Sequence, residues 1–111
     1  MDYLQELEKY KDFKDVKDLV DDVHKLRKYY FTGQYDAMQQ HINNITIKYF
    51  QETIVWNSAN RTMPTNPNEL YRNAENFLKM KGFFMLMQKG IQVHNQLTQQ
   101  ELDFIQNWMK L

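Results

Sequence analysis

Apolar side chains recur along most of this chain at the three- and four-residue steps that place them on one face of a helix. Val16, Leu19, Val23, Leu26 and Tyr30 follow a 3-4-3-4 spacing. Upstream, Leu4, Leu7 and Tyr10 sit out of phase with that seam. Between the two lies "KDFKDVKDL", residues 11–19, which repeats Lys-Asp-apolar with period three. Three residues turn a helix by only about 300°, so Phe13, Val16 and Leu19 drift around the axis instead of forming a straight stripe. The pattern predicts a change of register here, through a bend or through a helix that starts with Asp12 or Asp15 as N-cap. The charges of the repeat nearly cancel. Lys11 with Asp15 and Lys14 with Asp18 attract, Lys11, Lys14 and Lys17 repel, and each such pair is worth about 0.2–0.5 kcal/mol. The repeat therefore reads as a solvated helix face.

"YYFTGQYDA" closes this segment, with Gly33 suited to the left-handed position after a helix end. A second helix is expected from about Gln34 to Asn60. Met38, Ile42, Ile45, Tyr49 and Trp56 form its inward stripe, and Ile47, Phe50 and Ile54 form another stripe beside it. Residues 57–66 read as a loop. Asn66-Pro67-Asn68-Glu69 then supplies an N-cap, a proline at the first helical position and a carboxylate in the first turn. Leu70, Asn73, Phe77, Met80, Phe84, Met87 and Ile91 make the best seam in the chain, although Gly82 and Gly90 weaken a helix by up to about 1 kcal/mol each. The competing reading of this region is a β-hairpin near 83–93, with "FFMLM" and "IQV" as its strands. Thr98 and Glu101 form a capping-box pattern flanked by Leu97 and Leu102, after which Leu102, Ile105, Trp108 and Met109 are expected to face inward. The sum is an all-α, single-domain bundle of about four helices over residues 1–111, with an α+β fold as the alternative.

Composition supports helices. The 111 residues include only three glycines and two prolines, too few for the many turns of a β-sandwich. Formal charge is zero, which disfavours a strongly basic nucleic-acid binder and an acidic mimic alike. Acids crowd the first third, and bases lead slightly beyond residue 60. There is no cysteine, so disulfides and thiolate chemistry are excluded. The longest apolar run, "FFMLM" at 83–87, is far short of the ~20 residues that span a bilayer. The acidic start "MDYLQELEKY" does not read as a signal peptide. A cytoplasmic protein with no membrane contact is expected. The abundance of Asn, Lys, Ile and Tyr fits AT-rich coding and a microbial or mobile-element source.

Candidate chemistry is sparse. His24, His41 and His94 have no histidine partner at helical spacing, and Asp21 is the only acid placed to pair with His24 on a helix face. Ser58 is the only serine and has no neighbouring base or glycine-rich turn. Glu52 and Glu75 sit near apolar faces, where burial would perturb them. No loop is built to cradle phosphate. The expectation is a protein without catalytic residues, metal or cofactor.

Binding has more to rest on. "HKLRKYYF", residues 24–31, sets Lys25, Arg27 and Lys28 beside Tyr29, Tyr30 and Phe31, a combination of phosphate-pairing charge and stacking faces. The same bases also suit a helix C-terminus on electrostatic grounds. Lys79 and Lys81, near Arg72, form a weaker basic patch. The methionine-aromatic run around Phe83, Phe84 and Met87 surrounds so much of its helix that it is either central to the bundle or partly exposed for a partner. The function expected from this balance is a non-catalytic protein-binding module, an adaptor, inhibitor or immunity-type factor, acting through Phe83, Phe84 and Met87. The partner is another protein, and homodimerisation is the simplest version. The alternative is a small nucleic-acid-binding regulator using Lys25, Arg27, Lys28 and Tyr29. Size and helical layout are similar to those of small helical immunity proteins directed against bacterial peptides, and no motif ties the chain to them.

Overall fold

Local signals place most helix boundaries. In the computed structural model, which describes residues 2–60 and 66–111, these are α1 (Tyr3–Glu8), α2 (Lys14–Phe31), α3 (Tyr35–Lys48), α4 (Phe50–Asn60), α5 (Pro67–Gln88) and α6 (Gln99–Met109). A short 3-10 turn, His94–Gln96, precedes α6. The Asn66 side chain accepts from the Glu69 amide at 2.9 Å to open α5. Thr98 and Glu101 close their capping box reciprocally, at 3.1 and 2.9 Å. Gly33 and Gly90 both adopt positive φ just past a helix end. At each, the amides of the glycine and of the next residue return to the last turn: Gly33 to Tyr30 and Gln34 to Tyr29, Gly90 to Met87 and Ile91 to Leu86. Gly90 therefore ends α5 instead of weakening it.

Among the described residues the fold is all-helical, with no strand. "FFMLM" lies inside α5, so the hairpin alternative near 83–93 does not form. Among the described residues six α-helices stand where about four were expected, because the first two predicted segments each break once. The first break spans residues 9–13, within the Lys-Asp repeat. It begins neither at Asp12 nor at Asp15; Phe13 holds the N-cap position and makes no side-chain cap. The out-of-phase seams explain it, since separate helices allow Leu4 and Leu7 on α1, and Val16, Leu19, Val23 and Leu26 on α2, all to be buried. The second break is a bend at Tyr49, with φ −114° and ψ 51°. There the Thr46 hydroxyl donates to the Ile42 carbonyl at 2.9 Å and the Thr53 hydroxyl to the Tyr49 carbonyl at 2.8 Å, back-bonding of the kind that bends helices. Residues 57–60 of the expected loop extend α4; residues 61–65 of it lie outside the described region.

Helix α5 is the axis of the assembly, packed by α1, α2, α3, α4 and α6. Its apolar residues are therefore buried around most of the circumference. Gly82 makes the approach of α1 and α2 possible: a Cβ there would lie 2.7 Å from Leu7 Cδ1 and 3.2 Å from Leu19 Cδ2. On the opposite side, Trp56, Phe77, Phe104 and Trp108 meet edge-to-face or tilted with centroids 5.1–6.4 Å apart, joining α4, α5 and α6. Met109, expected inward, is instead half-exposed, because Trp108 takes the inward position beside it.

At the edge of this core lies an ion pair that holds a buried lysine against a half-buried acid. Lys81, on α5, donates to Glu52 on α4, with its ammonium 5.0 Å from the Phe84 ring centroid and 5.4 Å from that of Tyr49. Removing one partner of a buried pair leaves the other unpaired in low dielectric, typically at about 3–5 kcal/mol. Glu52→Ala is expected to lower unfolding free energy by about 3 kcal/mol, and by less than about 1 kcal/mol in a Lys81→Met background. Urea titrations of the four-member mutant cycle measure the difference. At the glycine, helix preference alone would favour alanine by about 1 kcal/mol. Overpacking of Leu7 and Leu19 opposes this, so Gly82→Ala is expected to gain nothing and Gly82→Val to lose about 2 kcal/mol by the same titration.

Candidate protein-binding surface

Being central is what removes the expected binding residues from the surface. Phe83 is 1% exposed and Phe84 4%, the latter with its ring centroid 5.5 Å from that of Trp108. Met87 packs at the core margin. Phe83 and Phe84 are thus inside the bundle and out of a partner's reach, and Met87 at the margin does not form a surface with them. The stripe reads as a candidate surface in sequence because the second half of α5, packed on several sides, has no polar face to betray its direction.

The basic-aromatic segment is divided by the fold. Lys25 and Lys28 are exposed on α2. Arg27 turns aside to join α2 to α1 and α5: its Nε donates to Glu75 at 2.8 Å, and its terminal nitrogens donate to Asp2 at 3.0 and 3.2 Å. The guanidinium lies 5.5 Å from the Tyr3 ring centroid. Hydrogen bonding to Arg27 holds the Asp2 carboxyl below the usual carboxylate range, while burial, and then the Glu75 charge, push the Tyr3 hydroxyl up. A depressed acid contributes fully above its ordinary value of 3.8 and loses that contribution as pH falls through its folded value, so this tie weakens in acid. Tyr29 is half-buried with its ring edge toward His41, at 6.0 Å. Tyr30 stacks on Tyr71 at 4.1 Å and donates to Asn68 at 2.9 Å. Lys25, Arg27, Lys28 and Tyr29 therefore do not converge on one patch. In the weaker basic patch, Lys79 lies 3.4 Å from Glu101 and Lys81 is buried against Glu52, leaving Arg72 exposed by itself.

The histidines are equally dispersed. His24 is exposed 3.4 Å from Glu8, His94 is exposed in the 3-10 turn, and buried His41 is bonded through Nε2 to the Asp22 carbonyl at 2.9 Å. A cleft of about 350 Å³ opens between α4, α5 and α6. Two of its polar groups serve the packing: Asn73 accepts from the Trp56 indole at 3.1 Å, and Asn60 donates to the Trp56 carbonyl at 2.7 Å.

What the fold does expose is the second stripe. Ile47 is 73% exposed, Phe50 61% and Ile54 51%. Phe50 and Ile54 are one turn apart on α4, and Ile47 stands just before the bend. The opposite side of α4 determines this. Trp56 enters the aromatic cluster, Glu52 reaches Lys81, and the Trp108 indole donates to the Glu52 carbonyl at 3.2 Å. Helices α3 and α4 themselves bring little charge to the stripe. Between residues 37 and 60 the only Lys, Arg, Asp or Glu are Lys48 and Glu52. Lys48 is tied to Asp22 at 2.8 Å and Glu52 points to Lys81, so the outer face is left to Gln40, Asn43, Asn44, Gln51 and the apolar stripe.

Comparison with protein-family models, with curated proteins and with solved structures finds no match to this chain.

The dispersal of the bases yields an expectation for nucleic acid. Labelled duplex DNA titrated at about 50 mM salt should show no anisotropy change that collapses by about 200 mM, the behaviour of phosphate-driven binding. Binding with a steep salt slope that is lost in Lys25→Ala/Lys28→Ala would return the basic-aromatic segment to the centre.

Proposed function

We propose that this chain is a non-catalytic protein-binding module that engages its partner through the outer face of α3 and α4. One observation carries the reading: Ile47, Phe50 and Ile54 form an apolar stripe in solvent, in a chain with 25% charged residues, on a segment whose two charges between residues 37 and 60 are both paired with other helices. Apolar groups held outward by a fixed backbone and bordered by amides are the make-up of an interface core with a polar rim. No convergent catalytic set competes with this reading among the described residues. An adaptor, an inhibitor and an immunity-type factor would all use such a face, and none of them needs a cofactor. No helix among the described residues is long and apolar enough to cross a membrane, so a bilayer-spanning role for the stripe has no support.

The face is tested with a photo-reactive benzoylphenylalanine in place of Gln51, which lies beside Phe50 on the exposed side. Irradiation in lysate from cells carrying the protein is expected to give one discrete protein adduct. The adduct should persist at about 500 mM salt, because little of the contact is ionic, and should vanish in Ile54→Asp. Adducts unaffected by Ile54→Asp, or none at all, would sink the assignment.

A further inference from the structure

We infer that the partner of this face is a second copy of the chain, docked across a two-fold axis that passes close to Phe50. The inference rests on the protein-binding reading above and specifies its occupant. A two-fold interface is self-complementary, so each side chain meets its own kind or a residue near it in sequence, and any charge near the axis faces its equal. Two other exposed faces carry charge that an axis would bring against its own kind. The outer face of α2 bears Lys14, Lys17, Lys25 and Lys28 among its aspartates, and the exposed Phe31 and Tyr35 are bordered by Lys28 and Asp36. The α3–α4 face avoids this, because Lys48 and Glu52 are both drawn off into pairs with other helices.

The polar groups that remain are suited to self-recognition. Asparagine and glutamine side chains each carry donors and an acceptor, so Asn43, Asn44 and Gln51 can bond to identical groups on a second copy. A partner of different chemistry would ordinarily be selected by complementary charge, which steers encounter and rejects wrong partners. This face offers none. The stripe also has the required order. With α3–α4 antiparallel to its copy, Phe50 meets Phe50 near the axis, and Ile47 meets Ile54 on either side. Formal charge is zero, so no net repulsion opposes the approach of two copies.

Size sets the strength. Helices α3 and α4 hold 14 and 11 residues, a path of about 37 Å at 1.5 Å per residue that the bend at Tyr49 shortens end to end. A strip of that length and one helix width, about 11 Å, covers at most roughly 400 Å² per copy. Stable complexes bury about 800 Å² per partner, so the dimer is a concentration-dependent one, with dissociation in the micromolar range or weaker.

Sedimentation equilibrium of the full chain from about 10 µM to 1 mM is expected to show monomer and dimer in exchange, unaffected by raising salt from about 50 to 500 mM. Phe50→Asp should weaken association at least about 100-fold while leaving the helical circular dichroism intact, since the side chain is exposed and an acid suits the first turn of α4. Phe31→Asp, at an exposed aromatic outside the face, should leave it unchanged. The chain has no cysteine, so Gln51→Cys gives a single thiol, which mild oxidation should convert to a disulfide-linked dimer. Lys11→Cys should stay monomeric under the same conditions. A chain that remains monomeric at about 1 mM overturns the inference, as does a Phe50→Asp variant that associates like the parent. If a monomeric chain still captures a different protein at position 51, binding through the face stands and the second copy falls. If it captures none, both fall.

Discussion

The ion pair between Glu52 and Lys81 determines which side of α4 meets the core, and the exposed stripe follows from that choice. Helix α4 is apolar on two sides: Trp56 and Thr53 could face inward, or Phe50 and Ile54 could. Hydrophobicity alone separates these orientations poorly. Rolling the helix to bury Phe50 and Ile54 would carry Glu52 away and leave a lysine in the core without a partner. It would also take the Trp56 ring out of the aromatic cluster and into water, losing its bond to Asn73. Such a pair adds little net stability over a well-packed apolar one, but it penalises the alternative roll, which would leave Lys81 buried and unpaired. Polar groups inside the bundle thus keep apolar groups outside it.

Much of this fold was legible along the chain wherever the signal was local. The Asn66–Glu69 start, the Thr98–Glu101 capping box and the helix end at Gly33 depend on residues within a turn of one another, and the structure places them as read. The long seams of α2 and α5 were visible for a related reason, since their spacing repeats over several turns. Two of the boundaries were not. The break in the Lys-Asp repeat was foreseen as a change of register but assigned to capping aspartates, whereas packing on α5 places it at Phe13. The bend at Tyr49 has no glycine or proline to announce it; threonine back-bonding interrupts a run that reads as one helix.

The surface was harder to read than the fold, because exposure belongs to the assembled bundle. Phe83 and Phe84 carry the strongest apolar signal in the sequence, and that strength is what a central helix requires. Arg27 looked like part of a basic patch, yet its two acidic partners come from residues 2 and 75, distances in sequence that no pattern within α2 reveals. For the α3–α4 face a signal did exist. Ile47, Phe50 and Ile54 were recognisable as a second stripe. The near-absence of charge from residue 37 to residue 60 looks like more core, and only the packing of Trp56 and Glu52 shows which stripe is left outside.

Both tryptophans of the chain, Trp56 and Trp108, lie in the same aromatic cluster, with ring centroids 6.4 Å apart. The α1–α2 side holds tyrosines instead, including Tyr3, Tyr10, Tyr29 and Tyr30. Indole emission is therefore an optical window on one corner of the molecule, where α4, α5 and α6 meet. Loosening of α1 from Arg27 would pass almost unseen in that light, whereas a change in the seating of α4 would register at once.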